Sequence, residues 1–139
     1  MSPTASDKLR ILVVDDEPDI LLGLNALLRR QSHYVKTFDS SWEALRHITT
    51  NNNTSYDLVI TDYRMPGSIS GLDLAKGVKE HTGRKTKVFL MTAFDMSAVP
   101  EFREALESRT IDEVVQKPIP NDKLIALIER SFLQHNNNH

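Results

Sequence analysis

Short apolar runs alternate along this chain with longer segments in which apolar residues recur at helical spacing. That is the pattern of a parallel sheet whose strands are joined by crossover helices. The sequence predicts five strands, Ile11 to Val14, Val35 to Phe38, Leu58 to Thr61, Val88 to Met91 and Val114 to Gln116. The first, third and fourth are nearly all apolar, as strands covered on both faces should be. Between the first two, Ile20, Leu21, Leu24, Leu27 and Leu28 mark one face of a helix. Ser40 and Glu43 have capping-box spacing at the start of a second helix, from which Trp42, Leu45 and Ile48 are expected to point inward. Leu74, Ala75 and Val78 predict a third helix, Val99, Phe102 and Leu106 a fourth, and Leu124, Leu127, Ile128 and Phe132 a fifth.

Composition narrows the classes. The 139 residues are about one ordinary domain and need no staple to bury a core. There is no cysteine, which removes disulfide and thiolate chemistry and fits a reducing compartment. The net charge is −2, and the basic residues are scattered, so no direct nucleic-acid contact is expected. No apolar stretch approaches the length of a membrane span. The reading is a cytoplasmic domain over residues 8–134 with flexible tails at 1–7 and 135–139.

The reactive groups gather where the strands end. Asp15 and Asp16 follow the first strand, Asp62 the third, Thr92 the fourth and Lys117 the fifth. In an open parallel sheet those positions share the rim where ligands bind. Singly, each acid reads as a helix-dipole or turn residue. Together, three carboxylates in one crevice repel one another and raise one another's pKa, an arrangement that makes sense around a cation. Mg²⁺ suits it, because that ion takes one or two protein carboxylates and leaves places for water and phosphate. Asp62 is then a nucleophile able to form an aspartyl phosphate. Lys117 and Thr92 stand ready to stabilise the phosphoryl oxygens.

The set of Asp15-Asp16, Asp62 in TDYRMPG, Thr92 in MTA, and Lys117-Pro118 resembles the receiver domain of two-component response regulators, from about Lys8 to Leu133. The resemblance implies an α/β, flavodoxin-like, doubly wound five-stranded parallel sheet in the order 2-1-3-4-5 with five helices. It implies phosphoryl transfer to Asp62 from a sensor histidine kinase or phosphotransfer protein. It implies direct Mg²⁺ ligation by Asp16, Asp62 and the Arg64 backbone carbonyl, with Asp15 acting largely through water. A cis Lys117-Pro118 peptide, a downstream protein partner bound through the face of helix 4, strand 5 and helix 5, and a monomer or phosphorylation-dependent dimer complete the expectation. Such a domain signals and is not a turnover enzyme. With the chain ending soon after its fifth helix, output is expected through binding or onward transfer.

Three departures from the family pattern stand out. Gly71 lies nine residues beyond Asp62, where eight is usual, so the loop GSISG carries an extra residue. Thr110-Ile111 replaces the common Gly-Ala pair before the last strand, and the segment from Phe94 to Val114 is longer than usual. Val114 stands where the family carries a switching aromatic, and its branched side chain is too short and stiff for that role. Phe94 or Phe102 is expected to move instead. Three alternatives stand beside this reading: a haloacid dehalogenase-type phosphatase, whose nucleophile would follow the first strand in a DxD pattern; a degenerate receiver that binds partners without phosphorylation, which should have lost an acid, the threonine or the lysine; and a phosphorelay intermediate or phosphate sink without conformational output.

Overall fold

The chain is described here by a computed structural model, which describes residues 8–50, 55–93 and 99–136, with side chains up to Phe132. The elements run β1 (Arg10–Val14), α1 (Pro18–Arg30), β2 (Tyr34–Phe38), α2 (Ser41–Thr50), β3 (Leu58–Asp62), α3 (Gly71–Thr82), β4 (Lys87–Thr92), α4 (Pro100–Glu107), β5 (Glu113–Gln116) and α5 (Asn121–Asn136). All strand pairs are parallel, in the order β2-β1-β3-β4-β5, so the chain reverses its winding direction after β2. This is the expected flavodoxin-like arrangement. Its switch point lies between β1 and β3, at the ends that carry Asp15 and Asp62.

Strand alternation divides the core into two layers. Ile11, Val13, Ile60, Phe89 and Met91 pack with Leu24, Leu28, Leu124 and Ile128 of α1 and α5. Leu12, Val14, Val59, Val88 and Leu90 pack on the other face with Ile48, Leu74, Val78 and Phe102 of α2, α3 and α4. Full burial of each large aliphatic or aromatic side chain contributes about 1.5–3 kcal/mol. These layers fix the rim that carries the polar groups.

Two expectations about the helices need correction. Ile48 is buried and Leu45 packs against the core, but Trp42 is 53% exposed. The buried phase of α2 runs through Ser41, Ala44 and Ile48 instead. Ser41 takes the inward place because its hydroxyl donates to the Ile69 carbonyl and contacts the Ser68 hydroxyl at 2.9 Å, tying α2 to the loop after β3. That turns Trp42 outward, while its own N–H donates to Ser68 Oγ. The Ser40 hydroxyl does accept the Glu43 N–H, at 3.2 Å. The second correction is at the C-terminus, where α5 extends through Asn136, two residues into the segment read as tail. A helix anchored by a buried face propagates past its last apolar position at little cost per residue.

α1 ends in a turn that places a histidine against the sheet. Ser32 has φ 71°, and the His33 N–H reaches back to the Leu28 carbonyl. His33 Nδ1 accepts the Leu9 N–H at 3.0 Å, continuing the β1–β2 pairing by one side-chain bond. Burial lowers the pKa of His33, against the opposing charges of Asp57 and Glu129. With its folded pKa below the unfolded value, this group contributes stability above pH of about 6.5 that is lost as pH falls through the folded pKa. His47 has the same sign. His33→Asn offers an acceptor without titrating, so its urea midpoint should fall less than that of the wild type between about pH 7.5 and pH 5. Converted to unfolding free energy, the difference should be about 0.5–1.5 kcal/mol, the size of one hydrogen bond. Equal losses in both proteins would remove His33 from the pH response.

Candidate functional site: the acidic rim

Each polar residue of the rim is positioned by the end of a strand. Asp15 follows β1, and its N–H donates to the Phe38 carbonyl of β2. Its Oδ1 accepts the Glu17 N–H at 2.9 Å, which shapes the turn into α1. Pro18 then opens α1 where a missing N–H costs nothing. Asp62 and Thr92 are the last residues of β3 and β4. The Tyr63 N–H donates to the Met91 carbonyl and the Lys117 N–H to the Thr92 carbonyl, both at 2.8 Å, so the ends of β3, β4 and β5 are laced together. The Lys117-Pro118 peptide is cis.

The acids and the lysine meet. One carboxylate oxygen from each of Asp15, Asp16 and Asp62 lies within 4.8 Å of the others. Lys117 Nζ stands 3.0 Å from Asp15 Oδ2, 3.3 Å from Asp62 Oδ1 and 3.3 Å from Glu17 Oε2. Asp15 is fully buried, Asp62 nearly so, and Asp16 is exposed. The contact between Asp15 Oδ2 and Lys117 is an ion pair whose geometry falls short of a hydrogen bond, so this buried oxygen accepts none among the described residues. Burial, ahead of any charge, raises the pKa of Asp15. Burial and then the Asp15 charge raise that of Asp62. Burial alone would lower the pKa of Lys117, but Asp15 and Asp62 more than offset it and hold the ammonium above its usual value. A carboxylate cluster with one lysine and an unfilled acceptor is short of positive charge, and a hard cation with oxygen preference fits it.

Above this cluster opens a cleft of about 570 Å³ whose walls include Asp16, Asp62, Arg64, Thr92 and Lys117. The loop after β3 forms one wall and is held at both ends. The Gly71 N–H donates to the Tyr63 carbonyl, and the Ser41 hydroxyl holds Ile69. Gly71 itself admits no side chain, since a Cβ there would sit 2.3 Å from the Asp62 carbonyl oxygen and 2.7 Å from Leu90 Cδ1. The loop with the extra residue thus still returns to the backbone of Asp62.

All the rim residues singled out in the sequence, Asp15, Asp16, Asp62, Thr92 and Lys117, come together. Phe94 lies outside the described residues. Phe102 is 1% exposed beneath α4, and Val114 packs against the same layer. Two contributors went unassigned in the sequence. Glu17 supplies the third carboxylate to Lys117, and its signal was its place in DDEPD. Tyr63 sets its ring edge-to-face on Phe102, with centroids 4.9 Å apart at 86°. Nothing in the local pattern reveals that contact. No described helix is long and apolar enough to cross a membrane.

Residues 11–129 match the response regulator receiver domain family. The chain is 31% identical to the transcriptional regulatory protein FixJ of Bradyrhizobium diazoefficiens, covering 91% of this chain and 58% of FixJ. It spans between 16% and 58% of the length of four such curated relatives. A receiver domain protein from Clostridium thermocellum superposes with a TM-score of 0.78 at 31% identity, covering 94% of this chain and 99% of that one. The response regulator TrrA of Thermotoga maritima, solved in complex with Mg²⁺-BeF, superposes with a TM-score of 0.71 at 35% identity, covering 88% and 97%.

Proposed function

Since this chain belongs to the response regulator receiver domain family, we propose that Asp62 accepts a phosphoryl group from a histidine kinase or phosphotransfer protein and that Mg²⁺ assists the transfer. The observation that carries this reading is Lys117 Nζ poised 3.3 Å from Asp62 Oδ1 within a cluster of three carboxylates. Asp16, Asp62 and the Arg64 backbone carbonyl would hold the ion directly. Asp15, whose buried Oδ2 accepts no hydrogen bond among the described residues, would hold it largely through water. When bound, Mg²⁺ supplies positive charge that offsets the carboxylates and the incoming phosphoryl oxygens.

The chain's own groups do the rest. An Asp62 carboxylate oxygen attacks phosphorus, and the bond from phosphorus to the donor's imidazole nitrogen breaks with its electron pair leaving on that nitrogen. Lys117 and Thr92 stabilise the phosphoryl oxygens by charge and hydrogen bond. The Gly71 N–H, bonded to the Tyr63 carbonyl, ties the backbone just after Asp62 to the start of α3. The domain signals from the cytoplasm through a protein partner on the face of α4, β5 and α5, and it turns over no separate substrate. The similarity to TrrA, solved in complex with Mg²⁺-BeF, supports this reading.

Incubation with acetyl phosphate and Mg²⁺ should add the mass of one phosphoryl group, and alkaline pH should remove it, because acyl phosphates hydrolyse readily. Intact-mass spectrometry reads this directly. Equal labelling with Mg²⁺ and with a chelator would reject the metal-assisted reading.

A further inference from the structure

The face that a receiver shows its partner must sense the state of Asp62, and Val114 is too short and too stiff to swing into vacated space. The structure offers another connection. Tyr63 directly follows Asp62, and its backbone is fixed on both sides. Its N–H donates to the Met91 carbonyl of β4, and its carbonyl accepts the Gly71 N–H at the start of α3. With the main chain held, a response of Tyr63 passes through its side chain. That ring is half-buried and stands edge-to-face on Phe102. Edge-to-face packing depends on orientation, because the positive ring edge must meet the negative face of its neighbour.

Phe102 is in turn the principal anchor of α4. This helix has eight residues and buries two of them, Phe102 and Ala105. Phe102 is 1% exposed, whereas Val99 and Leu106 only flank the core. A helix held by so few contacts shifts when its main contact shifts. From these observations we infer that Tyr63 is a positioning residue that transmits the state of Asp62 to α4 through its ring contact with Phe102. The inference rests on the phosphoryl-acceptor reading of Asp62. A phosphoryl group there replaces the single carboxylate charge by roughly −1.5 to −2, about one further negative charge, and adds bulk one residue from Tyr63. Any displacement of the end of β3 reaches the aromatic pair before it reaches Val114, which lies two strands away on β5.

Amide NMR of wild type, Tyr63→Leu and Tyr63→Phe, each with Mg²⁺ and with or without beryllofluoride, tests this. In the wild type, shifts should appear at Asp62, Thr92 and Lys117 and continue through Glu101 to Glu107. Tyr63→Leu should keep the rim shifts while those of α4 fall at least about twofold. Tyr63→Phe, which retains the ring, should behave as the wild type. Tyr63 is half-exposed, so both variants should fold. If α4 responds in Tyr63→Leu as strongly as in the wild type, or if Tyr63→Phe fails to restore it, the coupling is overturned. If the wild-type rim itself does not respond, the phosphoryl-acceptor reading falls first and this inference with it.

Discussion

Replacing Lys117 with alanine is expected to lower the unfolding free energy of the metal-free protein by about 3 kcal/mol at neutral pH, the usual cost of stranding one partner of a buried ion pair. Asp15 is fully buried, and its Oδ2 lies 3.0 Å from the ammonium; Asp62, with its side chain 10% exposed, lies 3.3 Å from it. Without Lys117 the two carboxylates face each other with no described cation between them. The pH dependence identifies the cause. Both acids have folded pKa values above the ordinary carboxylate value, through burial first. A group of that kind is neutral and harmless below its unfolded pKa and costs stability as pH rises through its folded pKa. Removing the lysine pushes both pKa values further up, so the deficit of Lys117→Ala should shrink on acidification. Urea unfolding at about pH 8 and pH 5 reads it. A deficit independent of pH would mean that the lysine contributes packing rather than charge.

Mg²⁺ is expected to raise the thermal midpoint of the wild type by about 5 °C or more at saturating concentration. Binding only to the folded state contributes RT ln(1 + [Mg²⁺]/Kd), which is about 2.7 kcal/mol at 100 times Kd. For domains of this size, 1 kcal/mol moves the midpoint by roughly 2–8 °C. Asp62→Asn should lose most of that gain, since it removes one of the two acids expected to ligate directly. The same variant should melt above the wild type when no divalent ion is present. The Asp62 charge is disfavoured in the fold by burial and then by Asp15, so losing it relieves the site at neutral pH. Opposite signs for one substitution, with and without the ion, are hard to obtain from a purely structural role. Scanning calorimetry of both proteins in chelator and in Mg²⁺ gives the four midpoints. A wild type indifferent to Mg²⁺ would remove the ion from the account.

The sheet was legible because its central strands, β1, β3 and β4, are buried on both faces and therefore read as nearly unbroken apolar runs. Each predicted strand agrees with the observed one to within a residue at either end. The rim was legible for a related reason, since a parallel sheet puts the residue after every strand on the same side. Ser41 and Trp42 show where such reading stops. Periodicity assigns the larger apolar side chain to the core, but the buried hydroxyl of Ser41 is satisfied by a loop 27 and 28 residues away, and local pattern carries no information about that partner. The contact of Tyr63 with Phe102 was hidden in the same way, across 39 positions of sequence. Gly71 was visible as a departure in spacing. Its necessity became plain only from the 2.3 Å that separates a would-be Cβ from the Asp62 carbonyl oxygen.

The most direct measurement is to locate the phosphoryl group. Wild type and Asp62→Asn, labelled side by side with acetyl phosphate and Mg²⁺, would be digested under acidic conditions and their peptides sequenced by tandem mass spectrometry. One phosphoryl group in the wild type, carried on Asp62 and absent from Asp62→Asn, is the expected result. A label on another residue of the wild type, or one that persists undiminished in Asp62→Asn, would contradict the central claim that this rim exists to phosphorylate Asp62.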